Sequence, residues 1–469
     1  MDTSDERGNL MKFEIDAPQT AQAEVIVAGG GLGGIAAAVA GARAGAKTIL
    51  LERNGFLGGV ATAGLCCSLF NCCFSDRGEQ MIHGAVMDVI AELAEKAGPG
   101  DSWRSHRGHM IFDMEKAKYV LLDFVKREGV HVRLFTQVTG VKKEGNHIAG
   151  VYVSGRNGVE YLAADLFVDA TGDSDLAALT GCPYRTIAGK ASYLFRMGNV
   201  DLDRFVNYFR EHPEQYKNRM DVDWDLSDAL RQYDENGTFL FPHGGGRFMD
   251  LINNAIAKGE YRESLGTEDS LNAFQMHGIR KYGTVHIITG FTAVSSLDAD
   301  TLTDRVYEGK KMVFYVADFM QKHFPGFENS FVSATADDLG IRLSRLTETR
   351  RKLVSQAPNA GAGNPDEILG RCLIVTHARQ EENGGWSAQQ LGNECFDVLL
   401  SDLLPASGAD NLIMGAGRSV NSRLRVMVDT MVVGQGAGIA AAVAAKGNAT
   451  FETLNLSDVQ KELKRQRVF

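Results

Sequence analysis

Glu24-Val-Ile-Val-Ala-Gly-Gly-Gly-Leu-Gly-Gly-Ile-Ala-Ala-Ala-Val-Ala-Gly-Ala-Arg-Ala-Gly-Ala-Lys-Thr-Ile-Leu-Leu-Glu52 is the stretch that decides the fold. Val25, Ile26 and Val27 form a β-branched run suited to a buried parallel strand, and glycines follow at once. Gly29, Gly31 and Gly34, with Leu32 and Gly33 between them, have the G-x-G-x-x-G spacing. The first glycine permits the tight turn, the second lets backbone approach a pyrophosphate, and the third lets the next helix lie close to the strand. Ile35 to Ala46 is Ala-rich and helical, so its amino end points free amides at the phosphates. Lys47 to Leu51 reads as the second strand, and Glu52 stands at its end, about 20 residues past the glycines, where a carboxylate accepts from a ribose hydroxyl. Strand, turn, helix, strand and acid in this order define a dinucleotide site.

A chain of 469 residues holds two or three domains and buries a large core. The net charge of -10 argues against nucleic acid and anionic membrane surfaces, which call for basic patches, and leaves a small molecule as the expected partner. Residues 1–20 are polar and lack an apolar core of signal-peptide length. No later segment reads as an uninterrupted apolar run of spanning length, so the expected location is the cytoplasm. Seven cysteines, four of them crowded at Cys66, Cys67, Cys72 and Cys73, do not form a spread disulfide framework and fit reduced thiols.

Residues 1–22 read as a loosely packed arm. After Glu52 and Arg53, the doublet Gly58-Gly59, followed by Val60 and Thr62, lets a second backbone segment approach the phosphates. Residues 81–98 and 113–128 have helical periodicity, whereas Val130 to Val141, Ile148 to Val153 and Glu160 to Ala163 alternate as strands of a small antiparallel sheet, with turns at Gly145-Asn146 and Asn157-Gly158. Leu166 to Ala170 reads as a further buried strand ending in Thr171-Gly172-Asp173. From about 185 to 330 the periodicity changes, with strands at Ala191 to Met197 and Thr284 to Thr289 and a helix from Thr303 to His323, which indicates an inserted domain. Ala357 to Pro365 reads as a loop, Asn411 to Gly415 as a strand, Gly417-Arg418 as a turn, and Val428 to Ala445 as a buried helix almost without a polar face.

The glycine-rich start, Gly58-Gly59-x-x-Thr62, Val138, Asp169-Ala170-Thr171-Gly172-Asp173 and Asp410-Asn-Leu-Ile-Met-Gly-Ala-Gly-Arg418 together resemble the FAD-dependent oxidoreductases of the glutathione-reductase type. Leu339-Gly-Ile-Arg-Leu-Ser-Arg345, Arg425-Val-Met427 and Gly434-Gln-Gly-Ala-Gly438 extend the resemblance. It implies an α/β fold: a Rossmann-like FAD-binding domain of parallel and small antiparallel sheets, in two parts at 23–185 and 331–469, with an α+β substrate domain inserted at 186–330. It also implies noncovalent FAD, with Glu52 at the adenosine ribose and the Val138 backbone at the adenine. Ala170, Thr171, Gly172 and Asp173 would then lie on the diphosphate side, with Gly417, Arg418 and the helix from Met427 at the flavin end. That helix would direct its amino-terminal dipole at the pyrimidine edge, favouring an anionic reduced flavin. Val428 and Asp429 stand where the family it resembles often has Pro-Thr, and the segment 396–400 lacks the expected Pro.

The activity expected is hydride transfer between flavin and a small organic substrate, with a diffusible electron donor or acceptor, because no second complete G-x-G-x-x-G unit provides a built-in NAD domain. The oligomeric state is left open, a homo-oligomer being possible. Flavin monooxygenase is one alternative. Another is a dithiol flavoenzyme using Cys67 and Cys72, near the place where the disulfide reductases this chain resembles carry a redox pair. The register is shifted, so lining of the substrate pocket is the reading adopted for the cysteines, and neither zinc nor an iron-sulfur cluster fits their spacing. His83, His109, His286 and His377 are the histidines in reach of a flavin-facing pocket; His109, His286, Arg345 and Asp429 are the catalytic candidates, and Arg345 with Arg423 could pair with an anionic substrate.

Overall fold

The computed structural model describes residues 14–69, 73–75, 78–106, 109–216, 224–241, 254–260, 275–351, 364–373, 377–380, 386–389 and 395–469. The loop at 357–363 and Cys72 lie outside the described residues, as do the side chains of His377 and Arg423. A parallel sheet carries the first domain, with His131–Arg133, Thr48–Leu51, Gln19–Ala28, Gly158–Asp169 and Leu412–Met414 side by side. Val25, Ile26 and Val27 are fully buried in its centre. Each contributes about 1.5–3 kcal/mol relative to exposure, which explains a run without polar alternation. The first strand begins at Gln19, paired with Tyr161, so Gln19 to Gln22 belong to the sheet and not to the expected arm.

Two strand expectations need correcting. Glu160 to Ala163 and Leu166 to Ala170 are one continuous strand, Gly158–Asp169, because Gln19–Ala28 pairs along nearly its whole length and no turn residue interrupts it. Its first half also pairs antiparallel with His147–Gly155, and its last residues pair parallel with Leu412–Met414, so one strand joins both sheets. Conversely, Val130 to Val141 breaks into His131–Arg133 and Gln137–Glu144. Phe135 adopts a left-handed φ of 53° between them, and the Phe135 and Thr136 amides bond back to the Asn54 and Glu52 carbonyls. This bend brings Gln137 and Val138 beside the end of the second strand.

The second sheet is antiparallel, in the order Thr238–Phe241, Gln275–Ile279, Thr284–Val294, Gly189–Gly198 and Phe331–Thr335, with Gly340–Ile341 also on Gly189–Gly198. The helix Ala299–His323 lies across it, and Gly309 permits close approach, since a Cβ there would stand 2.9 Å from the Tyr193 side chain. Phe205, Phe209, Phe239, Phe241, Phe324 and Phe327 form an aromatic core at one end, with Phe205 and Phe327 edge to face at 5.2 Å.

The helix Met427–Lys446 has a mean hydropathy of 1.4 over its apolar window and 20 residues, so length and composition alone would let it cross a membrane, contrary to the expectation of no such segment. It is 83% buried inside the protein instead. A Cβ on Gly434 or Gly438 would overlap the Gly33 or Ala37 carbonyl of the helix Leu32–Arg43, so small residues let the two backbones touch. That contact seats the helix Met427–Lys446 directly under the glycine-rich turn.

Candidate cofactor and substrate site

A cavity of about 980 Å³ runs from the glycine-rich turn to the second sheet. This stands at the top of the roughly 300–1,000 Å³ range of small-molecule sites, as an extended dinucleotide together with a substrate requires. At one end lie Gly29, Gly31, Leu32 and Gly33, facing Gly58, Gly59 and Val60. Gly31 and Gly58 pair as a parallel bridge, and the Gly58 amide donates to the Gly30 carbonyl at 2.9 Å. The two glycine segments therefore form one backbone cradle. Gly29 has φ 105° and Gly58 φ 117°, conformations that other residues rarely adopt. A Cβ on Gly31 would meet only Gly59 Cα, at 3.9 Å, so this wall is open because it lacks side chains.

Glu52 closes the end of the cradle. Its buried carboxylate accepts from the Gly30 amide at 2.8 Å and the Asn54 amide at 2.7 Å. Burial pushes its pKa up, opposed by those two amides and by Arg53. Arg53 also lines the cavity, with its guanidinium paired to Asp338, and Val138 lines it beside Thr136 and Gln137. Ala170, Thr171, Gly172 and Asp173 form the opposite wall. Asp169, fully buried, holds that wall: its carboxylate accepts from the Thr171 amide and hydroxyl at 3.0 and 2.7 Å and from the Ala177 amide at 2.9 Å. Burial raises it to about 6. Arg418 donates to the Gly172 carbonyl at 2.7 Å, to Asp173 at 2.9 Å and to the Ile341 carbonyl, tying the wall to the second sheet.

Several expected contacts lie elsewhere. Thr62 is fully buried and donates to the Leu57 carbonyl at 2.8 Å; it braces the doublet and does not face the cavity. Gly34 and Gly417 are also outside the lining, the first packed on Gly29 and the second donating its amide to Thr430 at 3.2 Å. Met427 and Thr430, one helical turn apart, face the cavity, whereas Asp429, about 160° around the helix from Met427 and about 100° from Thr430, points away to Cys372. The residue before this helix is Val426, so Asp429 does not cap it either. Burial raises Asp429 to about 8.

His109 and His286 are likewise buried and absent from the lining: His109 lies against Trp224 with ring centroids 4.4 Å apart, and His286 faces His277 across the sheet register. Burial, with His277 and Arg196 nearby, drives His286 well below its ordinary value. His83 is also outside the lining, bonded to Gln80 at 3.0 Å. Arg345 does line the cavity, at the nucleotide end, but Asp175 holds it at 2.7 Å. Of the cysteines, Cys66 lines the cavity, and Cys67 turns inward, its sulfur 3.6 Å from His277 Nδ1. Burial pushes both thiols up, away from the thiolate.

Residues that the sequence did not single out also line the cavity: Ser68, Ser192, Gln275, Arg342, Arg425 and, beside Gly33, Thr430. Arg342 and Arg425 fall within motifs that the sequence offered, but spacing alone does not tell which arginine of Arg342 and Arg345 points at substrate. His277 sits behind them, 3.2 Å from the Ser68 hydroxyl, and burial lowers it to about 3, so it is neutral.

A glycine-cradled βαβ turn, an acid beneath it and one cavity reaching a second sheet define a dinucleotide-dependent enzyme of α/β architecture. The chain belongs to the FAD dependent oxidoreductase family, whose model matches residues 24–463. FAD is its cofactor and oxidoreduction its activity. A search of curated proteins returns no match. Among solved structures it is similar to a geranylgeranyl bacteriochlorophyll reductase-like protein from Thermoplasma acidophilum, at 15% identity over 95% of this chain and 83% of that one, TM-score 0.47. It is also similar to p-nitrophenol 4-monooxygenase from Pseudomonas putida, at 11% identity over 95% and 85%, TM-score 0.45. A third likeness is to the myxobacterial chondrochloren halogenase, at 14% identity over 96% and 80%, TM-score 0.41.

Proposed function

We propose that the protein holds FAD noncovalently along this cavity and exchanges a hydride between the flavin and a small organic substrate seated against the second sheet. The observation that carries the reading is the continuity of one cavity from the bare glycine backbone at Gly31 and Gly59 to Gln275 and Ile288 of the second sheet. When bound, FAD supplies a two-electron acceptor or donor. The cradle and Glu52 hold the nucleotide half, the Ala170–Asp173 wall flanks the diphosphate, and the start of the helix Met427–Lys446 faces the flavin. The second sheet acts as the substrate cap; its strands Phe331–Thr335 and Gly340–Ile341 carry it past the boundary expected at 330, and Leu194 and Ile288 provide its apolar lining. Gly58-Gly59 supports the glutathione-reductase type as the branch within the family. Among the described residues Cys66, Cys67, Cys73, Cys182, Cys372 and Cys395 form no disulfide, which supports a reducing compartment such as the cytoplasm.

The cysteines take no electrons in this reading, because Cys67 lies behind the cavity wall with its thiol protonated. Anaerobic dithionite titration is expected to end at two electrons per FAD, with no long-wavelength band and the same endpoint in Cys67→Ser. A four-electron endpoint that falls to two in the variant would establish dithiol chemistry. NADH and NADPH, mixed anaerobically with the enzyme, are expected to leave the flavin oxidised on the turnover timescale. Rapid bleaching accelerated by an aromatic compound would assign the protein to the monooxygenases instead.

A further inference from the structure

The segment that leaves the glycine cradle carries a row of hydrogen-bonding groups that ends at the cavity. The Cys66 amide donates to the Val60 carbonyl at 3.1 Å and the Asp337 amide to the Ala63 carbonyl at 2.9 Å, which straps this segment between the cradle and the chain entering Gly340–Ile341. Cys66 and Ser68 both line the cavity, and Cys66 is partly exposed, whereas Cys67 is fully buried. Ser68 directs its amide and its hydroxyl at the Cys66 sulfur, and the Arg342 guanidinium stands near enough to act on that thiol. Behind Ser68, His277 holds Nε2 3.2 Å from the hydroxyl and Nδ1 3.6 Å from the Cys67 sulfur. A serine hydroxyl has a single proton. Given to Cys66, it leaves Ser68 to accept from Nε2–H, and Nδ1 then accepts from the Cys67 thiol. A neutral His277 has the single ring proton that this order needs. Every donor in the row then points toward Cys66.

We propose, building on the hydride-transfer reading above, that Cys66 is the proton donor of the reaction and that the substrate is an α,β-unsaturated carbonyl compound whose enolate oxygen is stabilised by Arg342. Hydride added to the β carbon shifts the double-bond electron pair onto the α carbon and the carbonyl oxygen. The Cys66 S–H bond then breaks: its proton forms the α C–H bond, and its electron pair stays on sulfur. Ser68 and Arg342 hold the thiolate until solvent returns the proton, so a hydride and a proton are added across the double bond. The same steps reversed desaturate the product. Burial pushes Cys66 up and keeps it protonated at neutral pH. An acid of that strength is better matched to an enolate carbon than to the far more basic alkoxide that hydride addition to an isolated carbonyl would leave. His277 is a positioning residue, since it sets the direction of the Ser68 hydroxyl.

The test uses FAD-loaded enzyme, its flavin content measured by heat release, reduced anaerobically with one equivalent of dithionite. Cyclohex-2-enone and 2-methylcyclohex-2-enone are expected to reoxidise the flavin, and cyclohexanone and cyclohexene to leave it reduced. In D2O the 2-methylcyclohexanone formed gains its α deuterium in one configuration. Cys66→Ala and Cys66→Ser slow the reoxidation about a hundredfold or more at unchanged FAD content, the range of a lost general acid, and give racemic product. Arg342→Gln slows it about a hundred- to a thousandfold and keeps the configuration. His277→Leu lowers the stereoselectivity, and His277→Gln, which retains a donor, restores part of it. A readout without turnover is iodoacetamide labelling of the oxidised enzyme, mapped by mass spectrometry, in which Cys66 reacts faster than Cys67 and cyclohexanone slows the reaction at Cys66. Unchanged rate and configuration in the Cys66 variants, faster labelling of Cys67, or reoxidation by cyclohexanone as fast as by the enones would overturn the assignment. Reoxidation by none of these compounds would overturn the substrate class. A protein without FAD would instead defeat the functional reading and this one with it, while the labelling would still report whether Cys66 faces the cavity.

Discussion

Gly31→Val yields a folded protein that no longer retains FAD. Gly31 has an ordinary extended backbone, φ -67° and ψ 174°, so valine is tolerated there without strain. Its Cβ would meet only Gly59 Cα at 3.9 Å, leaving the branches to fill the space between the two glycine segments. That space is the proposed seat of the pyrophosphate. Overlap of about 3 kcal/mol, the upper end of ordinary overpacking, is roughly a hundredfold in affinity. Equilibrium dialysis measures the loss, and circular dichroism shows whether the fold survives. Gly34→Val is the contrasting control: a Cβ there overlaps the Gly29 carbonyl, so this variant is expected to misfold rather than fold empty. Tight FAD binding by folded Gly31→Val would place the diphosphate elsewhere.

Glu52→Ala weakens FAD retention by about ten- to a hundredfold, the 1.5–3 kcal/mol of a charge-assisted hydrogen bond. The carboxylate has a second duty, since it accepts from the Gly30 and Asn54 amides and so fixes the cradle from beneath. Holding the ribose, it is not expected to touch the reacting ring. Turnover should therefore return to near the parent value with excess FAD. Unchanged retention would remove Glu52 from the ribose, and turnover that excess FAD cannot restore would give it a role in the chemistry.

The nucleotide half was legible in the sequence because local backbone chemistry defines it. Gly29, Gly31, Gly58 and Gly59 act through the side chains they lack, and spacing alone reveals that. Substrate-side residues act through direction, which depends on partners distant in sequence. Gln275 and His277 share one face of a strand, yet Gln275 reaches the cavity while Cys67 and Ser68 cover His277. Asp429 lies within one turn of the cavity-lining Met427 and Thr430, but the helical rotation set by a start at Met427 turns it toward Cys372. His109 and His286 were chosen by residue type, and their burial shows packing that the chain order does not encode. The separation of Val130 to Val141 into two strands depended on Phe135, whose left-handed φ nothing in its neighbours announces.

The central claim is that the glycine-lined cavity holds a noncovalent FAD, and the visible spectrum of the purified protein before and after heat release tests it most directly. The expected result is a yellow protein that releases one FAD per chain on heating and regains its colour when refolded with added FAD. A colourless protein that also fails to take up FAD would contradict it.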